Sequence, residues 1–127
     1  MKKFIKILTA SLLMVMTVLV MTACVPNNPE KAAKKLEKAG YTVEVVDLVA
    51  EGVDGEGALY QVVAMKRDET SEASDGIYVI YFDSKDNAKA WYDEYLDDIN
   101  DPDEGMSAKY KGKIVYWGTA QAIKDLE

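Results

Sequence analysis

Residues 77–99 read IYVIYFDSKDNAKAWYDEYLDDI, and they decide the fold because a strand pattern and a helix pattern adjoin in them. Residues 77–82 are apolar and aromatic, as is typical of a pleated sheet. Ser84 is a favoured helix N-cap, and the apolar side chains after it recur at intervals of three and four residues. The stretch therefore predicts a strand followed at once by an amphipathic helix.

The flanking segments repeat these two patterns. Asn28-Pro29 predicts the start of a first helix, which Gly40 ends. Alternating apolar residues predict two strands before residue 77, then a hairpin and a short helix after residue 99. The predicted strands are 41–49, 58–66, 77–82, 107–110 and 113–117, and the predicted helices are 29–39, 85–99 and 120–126.

The order of these elements predicts the fold class. Successive strands joined by short turns favour antiparallel pairing, and amphipathic helices need an apolar sheet face to cover. We therefore predict an α+β fold in the order α-β-β-β-α-β-β-α. It has a largely antiparallel five-stranded sheet with helices packed on one face.

The N-terminal segment has the organisation of a secretory signal. Three lysines among the first six residues precede an apolar run over 7–21, which is short for a membrane span. The run ends in Met21-Thr22-Ala23-Cys24, which contains the only cysteine. This motif resembles the lipobox of bacterial lipoproteins. The resemblance implies cleavage after Ala23 and a diacylglyceryl group on Cys24; ordinary signal cleavage, an uncleaved anchor and a structural cysteine fit the motif less well.

A second resemblance concerns the rest of the chain. Residues 112–124, with 36–41 and 81–91, are similar to parts of small lipoproteins of Gram-positive bacteria. That class implies no activity. It implies a location on the outer face of the cell membrane, with 1–23 as signal peptide, 24–29 as lipidated tether and 30–127 as a single small domain.

Charge and composition exclude several functions. Residues 24–127 hold all 22 acidic residues but only 12 of the 15 basic ones, a net charge of −10 that repels nucleic acid. The chain has no histidine, and lipidation removes its one thiol. We therefore predict no catalytic residues and no cofactor. The predicted function is a non-enzymatic binding or interaction module for a protein or envelope polymer; a carboxylate-dependent hydrolase of envelope polymers is an alternative.

Aromatic side chains give the first candidate binding site. Amphipathic rings favour ligand and partner surfaces, and alternate residues of a strand face away from a helical layer. The residues predicted to form this surface are Tyr78, Tyr81, Tyr116 and Trp117.

Oxygen-rich loops give a second candidate, a calcium site of a surface protein. The loop after the central helix clusters carboxylates on a turn, which suits Ca²⁺ although the spacing is not that of an EF-hand. The predicted metal ligands are Asp98, Asp101, Asp103 and Glu104, with Asp54 and Glu56 as a lesser set.

The first predicted helix suggests an orientation on the membrane. Lysines 31, 34, 35 and 38 lie on it, whereas residues 41–127 are strongly acidic. A short tether would place this helix close to the lipid headgroups, where its lysines could meet anionic lipid.

Overall fold

A computed structural model describes residues 25–50, 52, 57–67 and 73–127. The helices and strands have nearly the positions predicted, with strand ends shifted by a few residues. In chain order they are α1 (Pro29–Lys38), β1 (Thr42–Asp47), β2 (Ala58–Arg67), β3 (Ala73–Phe82), α2 (Lys85–Ile99), a 3-10 turn (Pro102–Glu104), β4 (Met106–Lys111), β5 (Ile114–Thr119) and α3 (Ala120–Leu126).

The five strands form one sheet in the order β1-β2-β3-β5-β4, and all four pairings are antiparallel. The predicted α+β class and the five-stranded antiparallel sheet are confirmed. β5 lies between β3 and β4, so that the closing hairpin joins the first three strands through β3–β5 pairing.

The helices cover both faces of the sheet, which corrects the expectation that they pack on one. Leu36 of α1 and Leu126 of α3 pack with Val79 on what we call the first face. Trp91 of α2 packs with Ile80 on the opposite, second face. The reason lies in β3, because its run of apolar residues points apolar side chains to both sides, and each side needs a cover.

Side-chain caps begin each of the three helices of the described residues, at the predicted positions. Asn28 Oδ1 accepts a hydrogen bond from the backbone N–H of Glu30 at 2.8 Å. Ser84 Oγ caps α2 by accepting from the N–H of Asn87 at 3.1 Å, and Thr119 caps α3. Each cap satisfies a backbone donor that the first turn of a helix leaves without a partner.

Gly118 allows β3 and β5 to approach closely. A Cβ atom at this position would lie 2.8 Å from the Cα of Ile77, closer than real Cβ contacts. A glycine in the interior of a strand often marks such a close backbone approach. The centre of the sheet therefore depends on the absence of a side chain at residue 118.

The segment before α1 is docked on the domain, although it was expected to be a polar tether. Val25 is buried with 7% of its surface exposed, and it belongs to the core of the first face. The Tyr81 hydroxyl donates a hydrogen bond of 2.7 Å to the carbonyl of Pro26. Ala23 and Cys24 lie outside the described residues. None of the helices in the described ranges has the length and apolarity that spanning a bilayer would require.

Candidate binding site

The structure separates the four predicted aromatic residues into two pairs. Tyr78 and Trp117 are partners in the β3–β5 register and lie on the second face, where their rings stack. Tyr81 and Tyr116 belong to the core of the first face. The four therefore do not form one surface.

Tyr81 and Tyr116 are buried residues that stabilise the fold. They are 5% and 4% exposed, and the Tyr116 hydroxyl donates to Glu127 Oε2 at 2.6 Å. Tyr41 on the same face donates to Asp125 Oδ2 at 2.8 Å. Burial, with hydrogen bonds to carboxylates at Tyr116 and Tyr41, raises the pKa of all three hydroxyls above the ordinary tyrosine value. Their hydroxyls therefore tie the segment before α1 and the C-terminal residues to the core of the first face.

Tyr78 and Trp117 begin an aromatic stack on the second face. Their ring centroids are 5.3 Å apart with planes at 14°, and Trp117 stacks in turn on Trp91 of α2 at 5.5 Å. Tyr95 continues the stack, 4.7 Å from Trp91. Tyr78 remains 36% exposed at the open end, next to Met65 of β2, which is 40% exposed. This end of the stack is the part of the predicted aromatic surface that a partner could reach.

The predicted calcium ligands do not converge. Asp101 turns its carboxylate back to cap the 3-10 turn, where Oδ1 accepts from the N–H of Glu104 at 3.3 Å. Asp98, Asp103 and Glu104 are exposed at the end of α2 and on the turn. Within residues 25–50, 57–67 and 73–127, no group of three or more acidic residues is placed to hold a metal ion. Asp54 and Glu56 lie outside the described residues.

A cavity that the sequence did not reveal opens at one end of the sheet. Its volume is about 410 Å³, and we call it the basic pocket. Its apolar lining comes from residues 25–29 and from β2, β3 and β5. Its positive charge comes from the start of α2 and from the β4–β5 turn. It is lined by Val25, Asn27, Pro29, Leu59, Tyr60, Tyr81, Phe82, Lys85, Lys111, Gly112, Lys113 and Ile114.

Among the residues that the structure describes, none that lines the basic pocket is acidic, although acids outnumber bases in the chain. Asp83 and Asp86 are exposed nearby but outside the lining, and Asp83 Oδ1 accepts a hydrogen bond from Asn87 at 2.7 Å. Lys85, Lys111 and Lys113 are all exposed. The pocket therefore combines an apolar wall with a positively charged rim, which is a suitable environment for an amphipathic anion.

Sequence reasoning missed this pocket because its walls come from five separate segments. The one local signal was Lys111-Gly112-Lys113, two lysines around a turn in an acidic chain. Gly112 has a φ of 60°, as the first central position of a tight hairpin turn requires, and so one lysine precedes the turn and the other is its second central residue.

Comparison with known proteins found no matching family model, no curated relative and no solved structure of significant similarity.

Proposed function

We propose that this chain is a membrane-anchored extracytoplasmic lipoprotein whose domain is a non-enzymatic binding module. The module takes a ligand with an apolar body and an anionic group in the basic pocket. The observation that carries this proposal is the lining of the pocket. Its described residues include three lysines and no acidic residue, in a domain of net charge −10.

The size and chemistry of the basic pocket support a ligand of this class. A volume of about 410 Å³ is within the range of small-molecule sites, which are mostly apolar with a few charged groups that orient the ligand. Burying the apolar body contributes roughly 25 cal/mol per Å² removed from water. The ammonium groups of Lys85 and Lys113 then select for negative charge.

The anchor rests on the motif around Cys24 and on the two acyl chains that lipobox chemistry supplies, which suffice for stable membrane attachment. The absence of histidine from the whole sequence favours binding over catalysis, since it removes the side chain most often used as a general base.

Replacing Cys24 tests the anchor. In cells, we expect the wild-type chain in the membrane fraction, with a mass that starts at Cys24 and includes the lipid. We expect Cys24→Ser to remain an unlipidated precursor or to be shed. An unmodified thiol at residue 24 of the wild-type protein would disprove the anchor.

An anionic apolar dye, anilinonaphthalene sulfonate, tests the binding function. We expect the double variant Lys85→Gln/Lys113→Gln to bind the dye about five- to tenfold more weakly, since each exposed charge pair contributes roughly 0.5 kcal/mol or more. Lys34→Gln/Lys124→Gln is the matched control, because it removes the same charge outside the pocket. Equal affinities of the two variants would disprove binding in the basic pocket.

A second surface is available for a protein or envelope-polymer partner. The exposed end of the aromatic stack, Tyr78 with Met65, is the observation that favours it. Truncating Tyr78→Ala should leave dye binding in the basic pocket unchanged while weakening retention on isolated envelope polymer. Unchanged retention would exclude the aromatic stack from that role.

A further inference from the structure

We infer that the basic pocket faces the bilayer that carries the anchor and binds the anionic headgroup of a phospholipid. This deepens the proposed function by naming the ligand, and it rests on that function only for the presence of an anchor at Cys24. The inference follows from the position of the pocket, the direction of α1 and the distribution of charge.

The first step is the position of residue 25. Val25 is part of the core on the first face and also lines the basic pocket. Cys24 is its neighbour, and consecutive Cα atoms lie about 3.8 Å apart. The hydrogen bond from Tyr81 to Pro26 and the cap at Asn28 hold the segment that follows. An acyl chain on Cys24 therefore enters the membrane beside the pocket, with almost no length of chain between them.

The second step is the direction of α1. The helix begins at Pro29, which lines the basic pocket, and ends before Gly40, which lies against the side chain of Lys66. Tyr60 of the pocket and Lys66 are six residues apart on β2, a distance of about 20 Å along a strand. The helix therefore leads away from the anchored end.

The direction of α1 bears on which lysines can contact lipid. Those in the last turn of α1 are far from the anchored end, and Lys35 Nζ donates a hydrogen bond to the carbonyl of Glu127. Lys85 and Lys113 are at the rim of the basic pocket. The geometry thus favours the rim lysines as the contacts with lipid over Lys35 and Lys38, two of the four helix lysines that the sequence suggested.

The third step is charge. A basic side chain close to an anionic membrane surface contributes up to about 1 kcal/mol. Asp47, Asp83 and Asp86 are exposed at the same end, and the domain as a whole is strongly acidic. Long-range attraction to the bilayer is therefore absent, and the rim engages a headgroup only when the anchor holds it there. Such a contact is sensitive to salt.

The experiment supplies the anchor chemically. Both core clusters are formed by residues within 25–126, and all five strands lie in that range, so a chain of residues 24–127 retains every described contact. Its only cysteine can be coupled to a maleimide phospholipid in vesicles of phosphatidylcholine, or of phosphatidylcholine with phosphatidylglycerol added. Amide hydrogen exchange over residues 111–114 then reports on the rim.

We expect exchange over residues 111–114 to be several-fold slower on the vesicles containing phosphatidylglycerol than on phosphatidylcholine alone. Lys85→Gln/Lys111→Gln/Lys113→Gln should abolish the difference. The matched control, Lys34→Gln/Lys35→Gln/Lys38→Gln, removes equal charge from the part of α1 that leads away from the pocket, and it should retain the difference. In the wild-type chain, high salt should reduce the difference in exchange between the two vesicle types.

Equal exchange rates over residues 111–114 on the two vesicle types would overturn the inference. They would mean that the pocket lies against lipid or an acyl chain without a preference for anionic headgroups. Loss of the difference only on changing the α1 lysines would also overturn it. Because the coupling supplies the anchor, these results do not depend on acylation in cells, which the mass of the Cys24 peptide reports separately.

Discussion

The two faces of the sheet differ in how far they bury their aromatic side chains. The first face lies under α1 and α3. Its tyrosines are buried, with their hydroxyls bonded to the segment before α1 and to the C-terminal residues. The second face lies under α2 alone, and Tyr78 and Met65 remain exposed beside it. Tyr116 and Trp117 are adjacent in sequence yet belong to different faces. Strand alternation, and not residue type, thus decides which aromatic side chain is structural.

The largest expected effect of this difference is on stability. Leu36 has no exposed surface under the first face, so Leu36→Ala should lower the free energy of unfolding by about 2–5 kcal/mol through lost burial and a residual cavity. Ile99, half-buried under the second face, is the matched site. Ile99→Ala should lower the free energy of unfolding by about half as much as Leu36→Ala, as measured by urea denaturation. Equal losses would mean that the two faces are packed equally well.

The next effect is on the pH dependence of stability. Burial raises the pKa of Tyr41, Tyr81 and Tyr116 above the ordinary value, so above about pH 10 these groups ionise in the unfolded chain while the folded chain keeps their protons. Stability is then fully present below pH 10 and falls above it, by at most about 1.4 kcal/mol per pH unit for each tyrosine.

Urea denaturation between neutral pH and pH 11 would measure this slope. Tyr116→Phe should reduce the slope above pH 10 by about one third, because one of three groups is removed. Below pH 10, the same variant should lose a constant amount of stability with the hydrogen bond to Glu127. A slope unchanged by Tyr116→Phe would mean that the first face does not hold its tyrosines neutral.

The smallest effect concerns single hydroxyls. Tyr81→Phe removes the hydrogen bond to Pro26 and should cost about 1 kcal/mol of stability, because a partly buried carbonyl loses its donor. Tyr78→Phe, at an exposed site on the same strand, should stay within about 0.5 kcal/mol of wild type. Thermal unfolding of the two variants gives the comparison, and similar losses would contradict the division of the tyrosines between the faces.

Local signals in the sequence were sufficient to predict the helices and strands. Ser84 and Asn28 begin their helices as predicted, because capping depends on a side chain and the backbone two or three residues away. The closing hairpin was also found, with its turn one residue later than predicted. The side on which each helix packs was not found, since an apolar run such as residues 77–82 fits a sheet covered on both faces as well as one covered on a single face.

The candidate sites were predicted less well, because a site depends on which segments meet. Of the four predicted aromatic residues, Tyr78 and Trp117 lie together, since both are at matching positions of paired strands. The acidic loop did not form a cluster, because the carboxylate of Asp101 satisfies the backbone of its own turn. The basic pocket has walls from distant parts of the chain, and Lys85 gives no local signal of its meeting with Lys113.

The pairing of β3 with β5 has a consequence for how the chain folds. β1, β2 and β3 pair with their neighbours in sequence, and so do β4 and β5, so both sets can form early from local contacts. Joining them requires Ile77 to meet Gly118 across the whole of α2, a long loop closure whose entropy has to be lost before the contact forms. We therefore expect the docking of the β4–β5 hairpin to limit the folding rate, with α2 consolidating in the same step.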